Sequence, residues 1–180
     1  TNGDGIAQPN ENSGVTSNAD GTFLLSSNLP TGPLIAVGGV NMDTGLAQIT
    51  PLLAPADALV VNPLTSLLQE VIRQTGGSAQ TASAQVSRAL GLPTGLNLST
   101  YNPLAEQNST SLGAQKVAAQ INNLLHLGSS GNDTRATDIW HAIGNTIISH
   151  SSTSPLDLAE HTTLLQMLSS ALSNDSIVAD

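Results

Sequence analysis

The feature that most restricts how this chain can fold is a change of period near residue 57. Before it, apolar residues come in short runs between turn formers. Beyond it, they recur at helical spacing behind capping residues. The early runs, Gly14 to Ser17, Thr22 to Ser26, Leu34 to Val40 and Leu46 to Leu53, are β-compatible. Between them stand Asn18-Ala19-Asp20-Gly21, Leu29-Pro30-Thr31-Gly32-Pro33 and Asn41-Met42-Asp43-Thr44-Gly45. Four such strands are too few for a self-contained sandwich, which takes about seven. The sheet therefore has to be covered by the helical part, an upstream segment or a neighbouring chain.

The helical part announces its own starts and stops. Asn62-Pro63 combines an N-cap with a proline at the first helical position, and Leu64, Leu67, Leu68, Val71 and Ile72 form a face that ends at Gly76-Gly77. A second helix is expected from Ser78 to Leu90, and a short turn follows Asn102-Pro103. A third helix spans about Ser111 to Leu127 with Val117, Ile121, Leu124 and Leu125 inward. A fourth runs from Thr134 to His150 with Ile139, Trp140, Ile143, Ile147 and Ile148. A fifth opens at Ser154-Pro155 and faces inward with Leu158, Leu164, Leu165, Leu168 and Leu172. The expected fold is α+β: a small antiparallel, sandwich-like β part packed on an antiparallel cluster of five helices. Residues 1–56 form a β-rich calcium-loop subdomain and residues 57–180 an all-α subdomain.

Composition narrows the partners. With no cysteine, thiolate metal sites, disulfides and cysteine nucleophiles are excluded. Four basic residues, Arg73, Arg88, Lys116 and Arg135, stand against 13 carboxylates for a net charge of −9, so no positive patch can neutralise several phosphates and nucleic acid is not expected. Charged residues make up only 9% of the chain, leaving Ser, Thr, Asn, Gln and Gly to cover its surface, as suits a secreted or cell-surface protein. No apolar run approaches the ~20 residues of a membrane span. No signal peptide begins at Thr1, as expected of a mature or excised segment.

The opening residues, Thr1-Asn2-Gly3-Asp4-Gly5-Ile6-Ala7-Gln8-Pro9-Asn10-Glu11, fit a calcium loop of EF-hand type. Such a loop places oxygen ligands at positions 1, 3 and 5, a glycine at 6 for the sharp turn and a bidentate Glu at 12. With Asp4-Gly5 as positions 5 and 6, Asn2 falls at 3 and Glu11 at 12, while position 1 falls ahead of Thr1. The candidate metal ligands are Asn2, Asp4, Ile6 and Glu11. Asp180 of a neighbouring copy could supply the first ligand, because joining Asp180 to Thr1 gives Asp-Thr-Asn-Gly-Asp-Gly-Ile. Ile177-Val178 could then add a strand to the neighbour's sheet, and an unclosed contact of that kind builds a fibre. Asp20 and Asp43 are read more simply as turn residues.

This loop, followed by Asn18-Ala19-Asp20-Gly21-Thr22-Phe23 and Leu29-Pro30-Thr31-Gly32-Pro33-Leu34, resembles the calcium-binding B-type repeats of serine-aspartate adhesins and related bacterial surface modules. The resemblance covers about the first 40 residues and implies a calcium-stabilised β-sandwich. The remainder, with Gly38-Gly39-Val40, Asp43-Thr44-Gly45 and Val60-Val61-Asn62-Pro63-Leu64-Thr65, looks like the helical extension that follows such loops in very large bacterial exoproteins. The family's first Asp is missing here, so carrying its ligand roles to Asn2, Asp4 and Glu11 depends on an outside ligand.

Catalytic grammar is sparse. His126, His141, His150 and His161 form no HxxxH, HxH or HExxH arrangement, and the chain holds no GxSxG, Walker or GxGxxG motif. Gly38-Gly39 reads as a kink at a strand end. The aromatic supply, Phe23, Tyr101 and Trp140, is too small for sugar platforms, and Trp140 is expected in the helical core. Four sequons, at Asn97, Asn108, Asn132 and Asn174, could accept glycans in a compartment that attaches them. The chain thus reads as a non-catalytic structural module of a bacterial or archaeal adhesin, filament, sheath or surface layer. It would be stabilised by Ca2+ and contact tandem modules or copies of itself. The alternative is a ligand- or partner-binding accessory domain of a secreted protein.

Overall fold

A computed structural model describes residues 8–25, 32–41, 45, 47–129, 133–151 and 153–174. Its elements are a 3-10 turn at Pro9–Glu11, strands β1 (Leu34–Ala36) and β2 (Leu52–Ala54), and helices α1 (Pro63–Thr75), α2 (Ala79–Ala89), α3 (Ser109–Ser129), α4 (Asp133–Ser149) and α5 (His161–Asn174). Among the described residues this is a cluster of five helices with one two-stranded antiparallel sheet. No helix among them is long and apolar enough to cross a membrane.

Helix α1 shows how the caps work. The amide of Thr65 donates to Asn62 Oδ1 at 3.0 Å, and the amide of Asn62 donates to Thr65 Oγ1 at 2.9 Å, so each residue satisfies the other's free backbone group. Pro63 occupies the position where a missing N–H costs nothing. At the other end Gly76 turns to φ 65° and its N–H reaches Ile72 O at 2.8 Å, a left-handed stop that suits glycine. Between these ends Leu64, Leu67, Leu68 and Val71 are at most 1% exposed.

Helices α1 and α4 are the hubs. The first packs on α2, α3, α4 and β2, and the second on α1, α2, α3 and α5. Their inward residues merge with Val86 of α2 and with Val117, Ile121, Leu124 and Leu125 of α3 into one core, in which Trp140 is buried beside Ile139, Ile143 and Ile147. The loop from α4 to α5 is threaded into this cluster. Pro155 sits against Gly91, where a Cβ would lie 2.7 Å from Pro155 Cγ, and Leu156 N donates to Ala89 O at 2.7 Å.

That loop corrects the expected fifth helix, which starts at His161 instead of Ser154-Pro155. Residues 155–156 are held by α2, and Asp157 and Glu160 form local caps: Ala159 N donates to Asp157 Oδ1 at 3.0 Å and Thr163 N to Glu160 Oε2 at 2.9 Å. Leu158 is buried ahead of the helix, whereas Leu165 and Leu172 are each 54% exposed and Met167 and Ala171 take the inward places.

The β part is smaller than expected. Of the four runs, Gly14 to Ser17 and the described part of Thr22 to Ser26 form no strand; Ser26 lies outside the described residues. Side chains satisfy the backbone locally there: Gly14 N donates to Asn12 Oδ1 at 2.8 Å, Val15 N to Ser13 Oγ at 3.3 Å and Thr22 N to Asp20 Oδ1 at 3.0 Å. Such bonds compete with strand pairing. Asp20 thus occupies the turn read from the sequence, closed by Asn18 N to Thr22 O at 2.8 Å. Asp43 lies outside the described residues.

The other two runs pair as a broken hairpin. Leu34, Ile35 and Ala36 face Ala54, Leu53 and Leu52, and an isolated bridge joins Val40 to Ala47. Between them Gly38 and Gly39, at φ 70° and 91°, end the ladder.

Candidate functional site

Of the expected calcium loop, residues 8–11 are described, and they include one candidate ligand. Glu11 closes the Pro9–Glu11 turn, with its amide donating to Gln8 O at 3.0 Å and its Oε2 accepting from Gln8 N at 3.2 Å. Proline at the start and a carboxylate folded back on the open N–H favour this turn. Asn2, Asp4, Ile6 and Asp180 lie outside the described residues. Among the described residues no group of three or more His, Asp or Glu is placed to hold a metal ion.

The sheet presents a second site, made of backbone. Leu53 N donates to Ser66 Oγ at 2.8 Å, and Leu53 O accepts from Thr65 Oγ1 at 2.9 Å. Both hydroxyl residues are fully buried in the first turn of α1, so this edge of β2 is sealed by a helix. Because the polar groups of Leu53 face α1, its pair with Ile35 is of the kind that exchanges no hydrogen bonds, and the Ile35 N–H and C=O point to the opposite side. Beyond β1, Val37 and Val40 are each 58% exposed.

The densest side-chain cluster joins α1 to α4. Glu70, 6% exposed, accepts from Arg73 through both oxygens, Nε to Oε2 at 2.9 Å and Nη2 to Oε1 at 2.7 Å. Gln74 donates to the same carboxylate and to His141 O at 3.1 Å. His141 Nδ1 lies 2.9 Å from Arg73 Nη2 and 3.2 Å from Glu70 Oε1, so it can accept from the guanidinium or donate to the carboxylate, but not both at once. The hydrogen bonds to Glu70, together with its charge, hold the Arg73 guanidinium above its ordinary pKa. Gly144 makes the approach possible, since a Cβ there would lie 2.6 Å from Gln74 Nε2 and 3.0 Å from Glu70 Cγ.

The sequence reading singled out His141 but missed Glu70 and Arg73, whose spacing of three was the available signal. With both carboxylate oxygens engaged, the cluster works as a clamp between helices. Of the other histidines, His126 and His161 are exposed and His150 Nε2 lies 2.9 Å from Ser154 O.

Two sequons have local structural roles. Asn108 Oδ1 accepts from Ser111 N at 2.9 Å at the start of α3, and Asn97 Oδ1 accepts from Ser99 N at 3.1 Å. Asn132 lies outside the described residues, as does the side chain of Asn174. An open cleft of about 310 Å³ is lined by Leu96, Asn97, Thr100, Tyr101, Asn102, Ala105 and Glu106.

No protein-family model matches the chain, no curated protein matches its sequence, and no solved structure matches its fold.

Proposed function

We propose that this chain is a non-catalytic, calcium-stabilised structural module of an extracellular or cell-surface protein, used in tandem or in self-assembly. The observation that carries the reading is the contrast between a closed helical core and a sheet that has only two strands among the described residues, with one edge sealed on α1. A sheet of two three-residue strands does not stand alone in water. Its completion into a sandwich-like layer would come from neighbouring chain. Calcium would be held by Asn2, Asp4, Ile6 and Glu11, with Asp180 of a neighbouring copy as the candidate first ligand in a head-to-tail chain. The acidic, cysteine-free composition suits a secreted setting.

The test is a thermal melt of the full chain with calcium and with chelator. At ~10 to 100 times its dissociation constant, an ion bound only by the folded state adds roughly 1.4 to 2.7 kcal/mol. For a domain of this size that raises the midpoint by roughly 3–10 °C. The double substitution Asp4→Asn with Glu11→Gln should remove the rise. Identical midpoints with calcium and chelator in the parent chain would rule out the calcium reading.

One observation favours a second reading, that of a ligand-binding accessory domain. Tyr101 lines the cleft beside Glu106, and its hydroxyl, buried behind that surface, has no hydrogen-bond partner among the described residues. A polar ligand that enters the wall of the cleft could satisfy it.

A further inference from the structure

We infer that Asn108 is an N-glycosylation site, the acceptor of an oligosaccharide delivered on a lipid pyrophosphate. Four sequons offer an asparagine, and the fold separates the two it describes fully. A transferase has to hold the triplet as far as its third-residue hydroxyl, so exposure of the asparagine alone is not enough. At Asn97-Leu98-Ser99 the asparagine is exposed, but Leu98 is 1% and Ser99 3% exposed, and Leu98 N donates to Ser83 Oγ at 3.0 Å. Presenting that triplet means drawing Leu98 out of the core, which disfavours it by roughly 10- to 100-fold. Asn108-Ser109-Thr110 has no such anchor. Residues 104–109 are exposed, and Thr110 is half-buried in the first turn of α3, where a helix frays at little cost.

Glu106 sharpens the choice. Bacterial transferases that act on folded chains read a carboxylate two residues ahead of the acceptor, where its charge docks on the enzyme. Glu106 holds that place for Asn108, whereas Gly95, Ser130 and Leu172 stand there for Asn97, Asn132 and Asn174. Its Oε2 accepts from Asn108 Nδ2 at 2.6 Å, so the carboxylate and the acceptor amide stand side by side at the surface. Two leucines give the sugar something to cover. Leu104 and Leu112, four residues to either side of Asn108, are 69% and 64% exposed, and Leu112 N donates to Asn108 O at 3.0 Å. A bulky, solubilising glycan rooted between them shields them.

The transfer balances on this side chain. Nδ2 attacks the anomeric carbon of the lipid-linked sugar, and the C–N bond forms as the bond from that carbon to the pyrophosphate oxygen breaks. The lipid pyrophosphate leaves with the electron pair, and one Nδ2 proton passes to a base of the transferase. One N–H remains for Glu106, and Oδ1 still accepts from Ser111 N at 2.9 Å, so the cap of α3 survives the modification.

The test incubates the folded full chain with a purified bacterial oligosaccharyltransferase and a polyprenyl-pyrophosphate-linked oligosaccharide, and reads each sequon by peptide mass. Asn108 should be modified at least ~10-fold faster than Asn97, the worth of one buried leucine. Glu106→Gln should slow transfer by about 10-fold, the worth of one charge-assisted contact. Thr110→Ser should remain a substrate and Thr110→Val, nearly the same in shape, should not. In the chain isolated from its own cells, the peptide that contains Asn108 should carry a saccharide. Asn97 modified as fast as Asn108 would overturn the inference, as would Glu106→Gln reacting like the parent or an unmodified Asn108 in the native chain. The inference rests on the cell-surface setting proposed above and not on calcium. Neither readout involves the calcium-dependent melt, so the two can fail separately.

Discussion

Residues 8–54 and residues 62–174 use the same vocabulary of Asn, Ser, Thr, Asp and Gly to opposite ends. In the helical region a capping side chain opens an element whose next turns carry leucines into a core: Asn62 precedes Leu64, Leu67 and Leu68, and Asn108 precedes Ala114 and Val117. In the N-terminal region Asn12, Ser13 and Asp20 make similar bonds to amides two residues on, yet the apolar residues that follow stay out, with Val15 38% and Leu24 87% exposed. Local hydrogen bonding decides the path of the chain in both. Only a sustained apolar period turns that path into a packed element, which teaches that capping grammar is permissive and burial decides.

The largest expected effect tests that statement directly. Leu68→Ala, in the centre of α1 with no exposure, should cost about 2–5 kcal/mol by denaturant unfolding, while Leu24→Ala should stay within about 0.5 kcal/mol. Comparable losses at the two positions would mean that Leu24 also lies in a core, and would erase the distinction between the regions.

A smaller effect measures how firmly the regions are joined. Ser66 is fully buried and its Oγ accepts from Leu53 N, so Ser66→Ala leaves that N–H facing a helix without a partner. The expected cost is about 1–2 kcal/mol. Amide exchange should speed up at Leu53 and in β2 while the α3 and α4 amides keep their protection in proportion to global stability. A uniform loss throughout would show that the hairpin and the helices unfold as one unit.

What could be read from the sequence follows the same division. The bounds of α1 and α2 were legible because caps, proline, glycine and period agree: Asn62-Pro63 to Gly76, and Ser78 to Leu90. The start of α5 was not, because Ser154-Pro155 imitates a cap while Leu156 N is claimed by Ala89 O and Pro155 by the space at Gly91, contacts that exist only once α2 is in place. Local signals cannot encode such a long-range claim. The clamp was half legible: Glu70 and Arg73 have helical spacing, but their meeting with His141 depends on Gly144 letting α1 and α4 approach. That the sheet is incomplete was legible, but the register of its hairpin was not, since two hydroxyls of α1 bind Leu53 only once the helix is in place. Of the ligands expected for calcium, Glu11 alone falls among the described residues, at the end of a turn its own carboxylate helps to close.

The smallest expected effect lies at the true start of α5 and concerns pH. Glu160 is fully exposed, yet hydrogen bonds from the Thr162 hydroxyl, and then from the Thr163 and Thr162 amides, lower its pKa from 4.5 to about 2. A carboxyl that is more acidic folded than unfolded stabilises the fold fully above its unfolded value. That contribution is lost as pH falls through the folded one. The first turn of α5 should therefore keep its protection above about pH 4.5 and loosen progressively toward pH 2. Asp157 is lowered too, by the Ala159 amide first and by Gln120, so bulk ellipticity would mix the two groups. The Thr163 amide separates them, because it donates to Glu160 and Ala159 reports on Asp157. Glu160→Gln keeps an acceptor oxygen but cannot titrate. In that variant the Thr163 amide shift and exchange rate should follow pH weakly between 4.5 and 2, while Ala159 still responds. A Thr163 amide that titrates equally in parent and variant would show that another group closes the helix, and would return its start to the proline the sequence first suggested.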